Sequence, residues 1–136
     1  MKIIILCFVS VFFIQKVSAQ QIKTTKNQTK MNTNTITNPI AKAAIDALQN
    51  GDGKAWSAAF AANATFYDDG NKRDLDAFNK SAIGHERFTS IDKVEKNGTA
   101  IYGNFHSDQW GDFKTYFRFT IDDGKITKLE IGQATH

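Results

Sequence analysis

The sequence predicts one α+β domain in which helices come first and an antiparallel sheet follows. A length of 136 residues allows a single domain of ordinary size. Apart from one short strand, apolar residues from Pro39 to Gly84 recur at helical spacing, whereas those from Phe88 to Ile131 alternate with polar residues. Since helices segregated from an antiparallel sheet pack against it, we expect them to cover its apolar face.

Two helices are predicted at the start of the domain. Asn38 is a suitable N-cap, Pro39 suits the first helical position, and Gly51 can end the first helix in a left-handed cap. Asp52 can cap the second helix. The apolar residues that share a face of this second helix are Trp56, Ala59 and Phe60.

A short strand and a third helix come next. The strand covers Ala64 to Asp68 and ends at an Asp-Gly turn, Asp69-Gly70. The third helix opens at Asp74 or Asp76 and ends at Gly84.

Four antiparallel strands complete the predicted domain. Asn97-Gly98 is typical of a hairpin between the first two of them. Alternation places Phe117 and Phe119 on the inner face of the third strand, with Tyr116 on the opposite face. The predicted strands are Phe88–Glu95, Thr99–His106, Phe113–Ile121 and Ile126–Ile131.

The chain begins with the pattern of a secretory signal peptide. Lys2 precedes an apolar run, Ile3–Ile14, and Val17-x-Ala19 predicts cleavage after Ala19. An uncleaved anchor is the alternative, although the run is short for a membrane span. We therefore expect a secreted or periplasmic protein without stable membrane insertion after cleavage. Residues 20–38 are almost entirely polar, which predicts a disordered linker before a domain at 39–136.

The basic charge of the chain belongs to its first 38 residues. Of the 17 basic residues, two lie in 1–19 and three in 20–38, where no acid occurs, which leaves 12 basic and 14 acidic residues in the domain. A basic nucleic-acid-binding domain is therefore excluded. The single cysteine lies in the predicted signal peptide, so the mature chain has no thiol chemistry.

Aromatic residues are numerous for so small a core. All of those beyond the signal peptide lie between Trp56 and Phe119. Part of the excess favours a pocket lining, because sites for small molecules have apolar and aromatic walls. A solid core with some rings at a dimer face is the alternative. The candidate lining residues are Trp56, Phe60, Phe66, Tyr67, Phe105, Trp110, Phe117 and Phe119.

Four segments, in this order, resemble the nuclear transport factor two-like superfamily and, more closely, its bacterial SnoaL-like members. The resemblance implies a cone-shaped fold in which helices close one side of a curved sheet around a central cavity. It leaves function open, because the superfamily includes isomerases, cyclases, dehydratases and binding proteins. The segments are AAIDALQNGDGKAWSAAFAANATFYDDG, GHERFTSIDKV, YGNFHSDQWGDFKTYFRF and GKITKLEIGQA.

Asp68 is the first candidate for chemistry. The string Ala64–Asp68 looks like the ketosteroid isomerase segment whose aspartate abstracts a proton beside a carbonyl. A carboxylate against apolar walls would have a raised pKa and could act as a general base. However, the first helix lacks the tyrosine that those isomerases use as an oxyanion donor. Alternatively, Asp68 only starts the Asp-Gly turn.

His85 is the second catalytic candidate, and an exposed loop histidine is the alternative. His106 and Asp108 could share a strand face, but two ligands make a poor metal site, so we expect no metal and no cofactor.

Three hypotheses for the function follow. The favoured one is a secreted protein that binds a small apolar molecule, because no evident donor–acid pair supports catalysis. The second is an isomerase, cyclase or dehydratase that uses Asp68 as general base. The third is a non-catalytic homodimeric interaction module, with Tyr116 and Arg118 on the outer sheet face at the interface.

Overall fold

The computed structural model describes residues 31–135, in which three helices precede and interrupt a seven-stranded sheet. The predicted signal peptide and the first part of the predicted linker lie outside the described residues, and secretion remains a prediction. The helices are α1 Pro39–Asn50, α2 Gly53–Ala58 and α3 Leu75–Ala82. The strands are β1 Phe60–Asp68, β2 Asn71–Arg73, β3 Glu86–Phe88, β4 Lys93–Glu95, β5 Ala100–Ser107, β6 Gly111–Asp122 and β7 Lys125–Gln133.

Each helix begins at the N-cap that the sequence predicts. The side chain of Asn38 accepts hydrogen bonds from the backbone N–H groups of Ile40 and Ala41, and Gly51 closes α1 at a φ of 65°. Asp52 and Asp74 cap α2 and α3 in the same way. Within residues 31–135, no helix is both long and apolar enough to cross a membrane.

The strands form one sheet in the order β2-β1-β7-β6-β5-β3, and β4 also pairs with β5. All pairs are antiparallel except β1 with β7, which are parallel. The predicted α+β class, with N-terminal helices packed on a curved and mainly antiparallel sheet, is confirmed.

The predicted strand Phe88–Glu95 is wrong as one element, because it is split into β3 and β4. The connecting segment crosses close over Gly103 of β5, where a Cβ atom would collide with the carbonyl oxygen of Ser90. The backbone N–H groups of Thr89 and Ser90 both lie within hydrogen-bond distance of the Asn104 carbonyl oxygen, 2.8 and 3.4 Å away. The extra residues therefore form a bulge that ends one pairing and starts another.

Three boundaries in the first half also differ from the prediction. Phe60 opens β1 and does not continue α2, because β1 pairs with β7 from Phe60 onwards. After the turn, Asn71–Arg73 adds β2 as an edge strand that the sequence analysis did not identify. Helix α3 ends at Ala82, two residues before Gly84.

The apolar side of α1 packs on the sheet and forms most of the helical part of the core. Ala44, Ile45 and Leu48 are fully buried there. At the end of α1, Gln49 makes a pair of hydrogen bonds with the backbone of Phe88: its Nε2 donates to the carbonyl oxygen at 2.9 Å, and its Oε1 accepts from the N–H at 2.8 Å. These bonds give hydrogen-bond partners to backbone groups at the open edge of β3 and fix the position of this strand beside the helix.

The last part of the predicted linker is packed against the domain. Ile36 is buried, and Thr33 donates a hydrogen bond to Asp46 of α1 at 2.6 Å. Apolar and hydrogen-bonded contacts thus hold residues 31–38 against the domain. The high mean polarity of the segment did not indicate these contacts. The folded unit therefore includes these residues ahead of α1.

Candidate functional site

A cavity of about 410 Å³ opens on the side of the sheet that faces the helices. We call this side the concave face. The aromatic residues that line the cavity are Phe78, Phe105, Trp110, Phe113 and Phe117. Its acidic residues are Asp68, Asp69 and Glu86. Ser81, Thr115, Ile131, Gly132 and Gln133 complete the lining.

Asp68 is the last residue of β1 and contributes to the cavity wall. It lies on the same side of the strand as Phe66, whose ring contacts Phe78 at a centroid distance of 4.6 Å. Burial raises the pKa of the Asp68 carboxyl, the nearby Asp69 raises this pKa further, and Arg73 lowers it. Asp68 therefore lies at the cavity wall beside Phe66, and its role as a general base stays a prediction.

Glu86 is a second carboxyl group in the same cavity, and the sequence analysis missed it. It starts β3 and accepts a hydrogen bond from the Ser107 hydroxyl at 3.0 Å. Burial is the largest cause that raises the pKa of Glu86, and the charges of Asp68 and Asp108 raise it as well. Glu86 and Phe88 share a face of β3 by alternation, but a strand of three residues is too short for this pattern to be recognised in the sequence.

Two partly desolvated carboxyl groups in one aromatic cavity influence the protonation of each other. The charge of Asp68 is one of the causes that raise the pKa of Glu86, so protonation of the one favours ionisation of the other. Such a pair can hold a proton donor and a proton acceptor in the same cavity. It can also bind a positive or hydrogen-bond-donating group of a ligand.

Asp69 is held by the backbone at the edge of the cavity. Its φ of 47° is in the left-handed region, and its Oδ1 accepts a hydrogen bond from the N–H of Gln133 at 3.1 Å. A Cβ at Gly132 would come within 2.5 Å of the Asp69 Oδ1 and 2.6 Å of the Tyr116 hydroxyl. Glycine at position 132 thus leaves room for the Asp69 carboxylate and the Tyr116 hydroxyl.

Trp110 lies at the mouth of the cavity, in the hairpin between β5 and β6. It is 72% exposed, the one large hydrophobic side chain so exposed among residues 31–135. The buried Ser107 hydroxyl accepts from the backbone N–H of Trp110 at 3.2 Å and donates to Glu86. Ser107 therefore couples the position of the hairpin to that of the Glu86 carboxylate.

The eight predicted lining aromatics divide into two groups. Phe105, Trp110 and Phe117 line the cavity. The other five are Trp56, Phe60, Phe66, Tyr67 and Phe119, none of which does.

Most of that second group fills the core, as the solid-core alternative describes. Trp56 is fully buried and donates its indole N–H to Asn79 at 2.7 Å. Its ring packs on that of Phe60 at 4.9 Å, while Phe66 and Phe119 are buried in the core. Tyr67 lies one residue from Phe66 and Asp68 and so points to the opposite face.

His85 lies next to the cavity but outside its lining. Its side chain is 62% exposed, and its Nδ1 lies 3.2 Å from the Asp108 carboxylate. Asp108 also contacts Nε2 of His106 at 3.1 Å, and Nδ1 of His106 contacts Asp112 at 2.6 Å. The hydrogen bond with Asp112 raises the pKa of His106, and those with the two histidines lower the pKa of Asp108. Within residues 31–135, no group of three or more histidine, cysteine, aspartate or glutamate side chains is arranged to hold a metal ion.

The opposite, convex face of the sheet carries Tyr116 and Arg118, as alternation predicts. The Arg118 guanidinium stacks on the Tyr116 ring at 4.3 Å, and its Nη2 lies 3.4 Å from the Tyr102 hydroxyl. Of the buried side-chain polar atoms in residues 31–135, only Nε of Arg118 lacks a hydrogen-bond partner. A homodimer through this face remains a prediction.

Solved structures show the same arrangement of elements. An NTF2-like protein of unknown function from Cytophaga hutchinsonii matches with a TM-score of 0.60 and 14% identity over 79% of this chain and 94% of that chain. A putative polyketide cyclase from Sinorhizobium meliloti matches with a TM-score of 0.56 and 22% identity over 68% and 92%. An LEH-like epoxide hydrolase from M. tuberculosis matches with a TM-score of 0.55 and 20% identity over 74% of this chain and 84% of that chain.

These matches confirm the resemblance to the nuclear transport factor two-like (NTF2-like) superfamily at the level of fold. No protein-family model matches the sequence, and no curated protein matches it. Because the identities are low and the neighbours differ in chemistry, function has to be argued from the cavity itself.

Proposed function

We propose that this chain, which has the NTF2-like fold, binds a small and largely apolar molecule in the cavity of its concave face. The observation that carries the proposal is the lining: five aromatic side chains and a few grouped polar ones around about 410 Å³. Pockets for small molecules have this composition and typically measure about 300–1,000 Å³.

The exposure of the lining residues increases from the floor of the cavity to its mouth, so a ligand can enter from solvent. Phe105 and Phe117 are almost completely buried and form its floor, while Ser81, Trp110 and Gln133 are exposed at its mouth. An apolar ligand body would cover the rings, and a polar end would meet the carboxyl groups. At roughly 25 cal/mol per Å² of buried apolar surface, the driving force comes from the apolar surface of the ligand itself and from the exposed ring of Trp110, both of which leave water on binding.

Native mass spectrometry of the protein, purified without added ligand, tests this proposal. We expect a reproducible extra mass that is lost under denaturing conditions. Ser81→Phe places a ring at the mouth and should remove that mass, whereas Ser57→Phe, the same change at an exposed helix position outside the cavity, should retain it. A bare wild-type protein that also binds neither phenethyl alcohol nor the corresponding amine, phenethylamine, would contradict the proposal.

Acid–base catalysis is a second candidate function, and the pair of Asp68 and Glu86 favours it. Both carboxyl groups line the cavity, and burial is the main cause that raises the pKa of each. The ionised Asp68 could abstract a proton beside a carbonyl group while a protonated Glu86 donates a hydrogen bond to the oxygen. A protonated Glu86 would thus supply the donor that the first helix lacks.

Exchange of the α-protons of the small aromatic ketone indanone in heavy water, followed by NMR, tests this second function. Asp68→Asn should reduce the protein-dependent exchange rate by about 100-fold or more, the usual worth of a positioned base. Glu130→Gln, which removes a carboxylate from the convex side, should leave the rate unchanged. Indanone binding without any exchange would leave the binding function and reject the catalytic one.

A further inference from the structure

The charged side chains that line the cavity are all of one sign. Asp68, Asp69 and Glu86 carry carboxylates there, and among the residues that the structure describes no lysine, arginine or histidine lines it. Arg73 and His85 act on these acids from outside the lining. The cavity thus presents negative charge without a cation inside it.

Some acidic residues elsewhere in the domain have a cation within ion-pair distance. Asp46 lies 2.7 Å from the Lys42 ammonium, and Glu95 lies 3.3 Å from that of Lys93. For Glu86 the hydrogen-bond donor is instead the neutral Ser107 hydroxyl, and Asp69 accepts from a backbone N–H. Carboxylates that are partly removed from water without a cation beside them are costly to ionise.

The aromatic walls add an attraction for positive charge. The faces of Phe, Tyr and Trp rings carry negative partial charge and attract cations within about 6 Å. Five aromatic residues line the same cavity as the carboxylates, and Trp110 among them is exposed at the mouth. Rings and carboxylates together form the surroundings that a protonated amine prefers, whereas a ligand carboxylate or phosphate would be repelled.

We infer that the ligand of this cavity is an amine, with its ammonium group between Asp68 and Glu86 and its apolar body against the aromatic walls. This inference rests on the proposed binding function and deepens it by naming the chemical class. The same arrangement excludes organic anions of similar size.

Binding of an amine should depend on pH in a defined direction. Burial raises the pKa values of Asp68 and Glu86, so the two groups take up protons at a higher pH than ordinary carboxyl groups. An ammonium group beside them favours their ionised forms, so its affinity should fall as pH decreases through these pKa values. The other charges that face the pair are those of Asp69, Arg73, His85 and Asp108, and they set the position of this change.

Three probes of nearly equal shape test the inference by calorimetry and NMR: phenethylamine, phenethyl alcohol and hydrocinnamate. At neutral pH we expect phenethylamine to bind about tenfold or more tightly than the alcohol, and hydrocinnamate to bind least. Phenethylamine should shift the NMR signals of Phe105, Phe117 and Trp110, because these line the cavity.

Variants that replace a cavity carboxyl group with an amide of similar volume provide a second test of the inference. Asp68→Asn and Glu86→Gln should each reduce phenethylamine affinity about tenfold and leave that of the alcohol nearly unchanged. Glu130→Gln is the matched control on the convex face, and its affinities should equal those of the wild type.

The possible failures are distinguishable. If the alcohol binds in the cavity as tightly as the amine, or if the two variants leave amine affinity unchanged, the inference is overturned and the binding function stands. If hydrocinnamate binds most tightly, the inference is overturned as well. If none of the three probes binds, the inference and the proposed function both fail.

Discussion

The two faces of the sheet treat charge in opposite ways. On the convex face, the cationic groups of Arg118 and Lys93 lie over tyrosine rings at 4.3 and 4.5 Å, and Lys128 lies 3.8 Å from Glu130. On the concave face, Asp68 and Glu86 lie in an aromatic cavity whose described lining contains no cation. The convex charges thus have partners within the domain.

This difference separates stability from function. Rings and opposite charges around the convex cations contribute modestly and favourably to folding. Ionised carboxyl groups in an apolar wall oppose folding, since desolvation disfavours their charge. The proposed amine would offset this cost on the concave face.

The largest expected difference between the faces concerns two neighbouring residues. Phe117→Ala should lower the free energy of unfolding by about 3–5 kcal/mol, because its ring is buried in the cavity floor. Tyr116→Ala, on the convex face, should cost about 1 kcal/mol, chiefly through its contact with Arg118. Urea denaturation measures both, and equal losses would contradict the assignment of the core to the concave face.

The carboxyl groups of the concave face should also make the stability of the protein depend on pH. Because the pKa values of Asp68 and Glu86 are raised on folding, the native state binds more protons than the unfolded state between the unfolded and folded values. Their contribution is fully present below the unfolded pKa values and is lost as pH rises through the folded ones.

The double variant Asp68→Asn/Glu86→Gln should therefore be more stable than the wild type at neutral pH, and the advantage should shrink in acid. Thermal denaturation across this range gives the comparison. An advantage that grows in acid would show that the two groups are stabilised as carboxylates.

A smaller effect is expected from the convex stack. Arg118→Met should lower the free energy of unfolding by about 0.5–1 kcal/mol, since it removes the charge over Tyr116 and keeps much of the apolar contact. Lys54→Met, at an exposed position of α2, is the control and should change stability by less. Equal effects would show that the stacking contributes nothing beyond surface charge.

The smallest change in stability is expected at the cavity mouth. Trp110→Ala should alter the free energy of unfolding by no more than about 0.5 kcal/mol, because the side chain is 72% exposed. The same variant should weaken phenethylamine binding, since the ring is part of the cavity lining. Unchanged binding would remove Trp110 from the site.

Local features of the fold were predictable from sequence, and non-local ones were not. Asn38, Asp52 and Asp74 cap helices through contacts with residues two or three positions away, so a short stretch of sequence suffices. The parallel pairing of β1 with β7 joins residues far apart in the chain. The break after Phe88 depends on Gly103 of β5, because the segment that connects β3 and β4 crosses close over this glycine.

The candidate site was predictable only in part for a similar reason. Asp68 could be found because it ends a recognisable strand and shares a face with Phe66. Alternation also places Glu86 beside Phe88, but three residues of β3 are too few to show a pattern against its surroundings. Sequence could not separate the core ring of Trp56 from the cavity ring of Phe105, because both positions demand large apolar side chains.

Carbon-13 NMR titration of the side-chain carboxyl groups, with and without phenethylamine, tests most directly whether the carboxyl groups of the cavity bind an amine. We expect Asp68 and Glu86 to titrate at higher pH than ordinary carboxyl groups, and the amine to lower the pKa values of both. Glu130, on the convex face, should not respond to the amine. Ordinary pKa values at Asp68 and Glu86 that the amine leaves unchanged would show that these groups are neither desolvated nor part of an amine site.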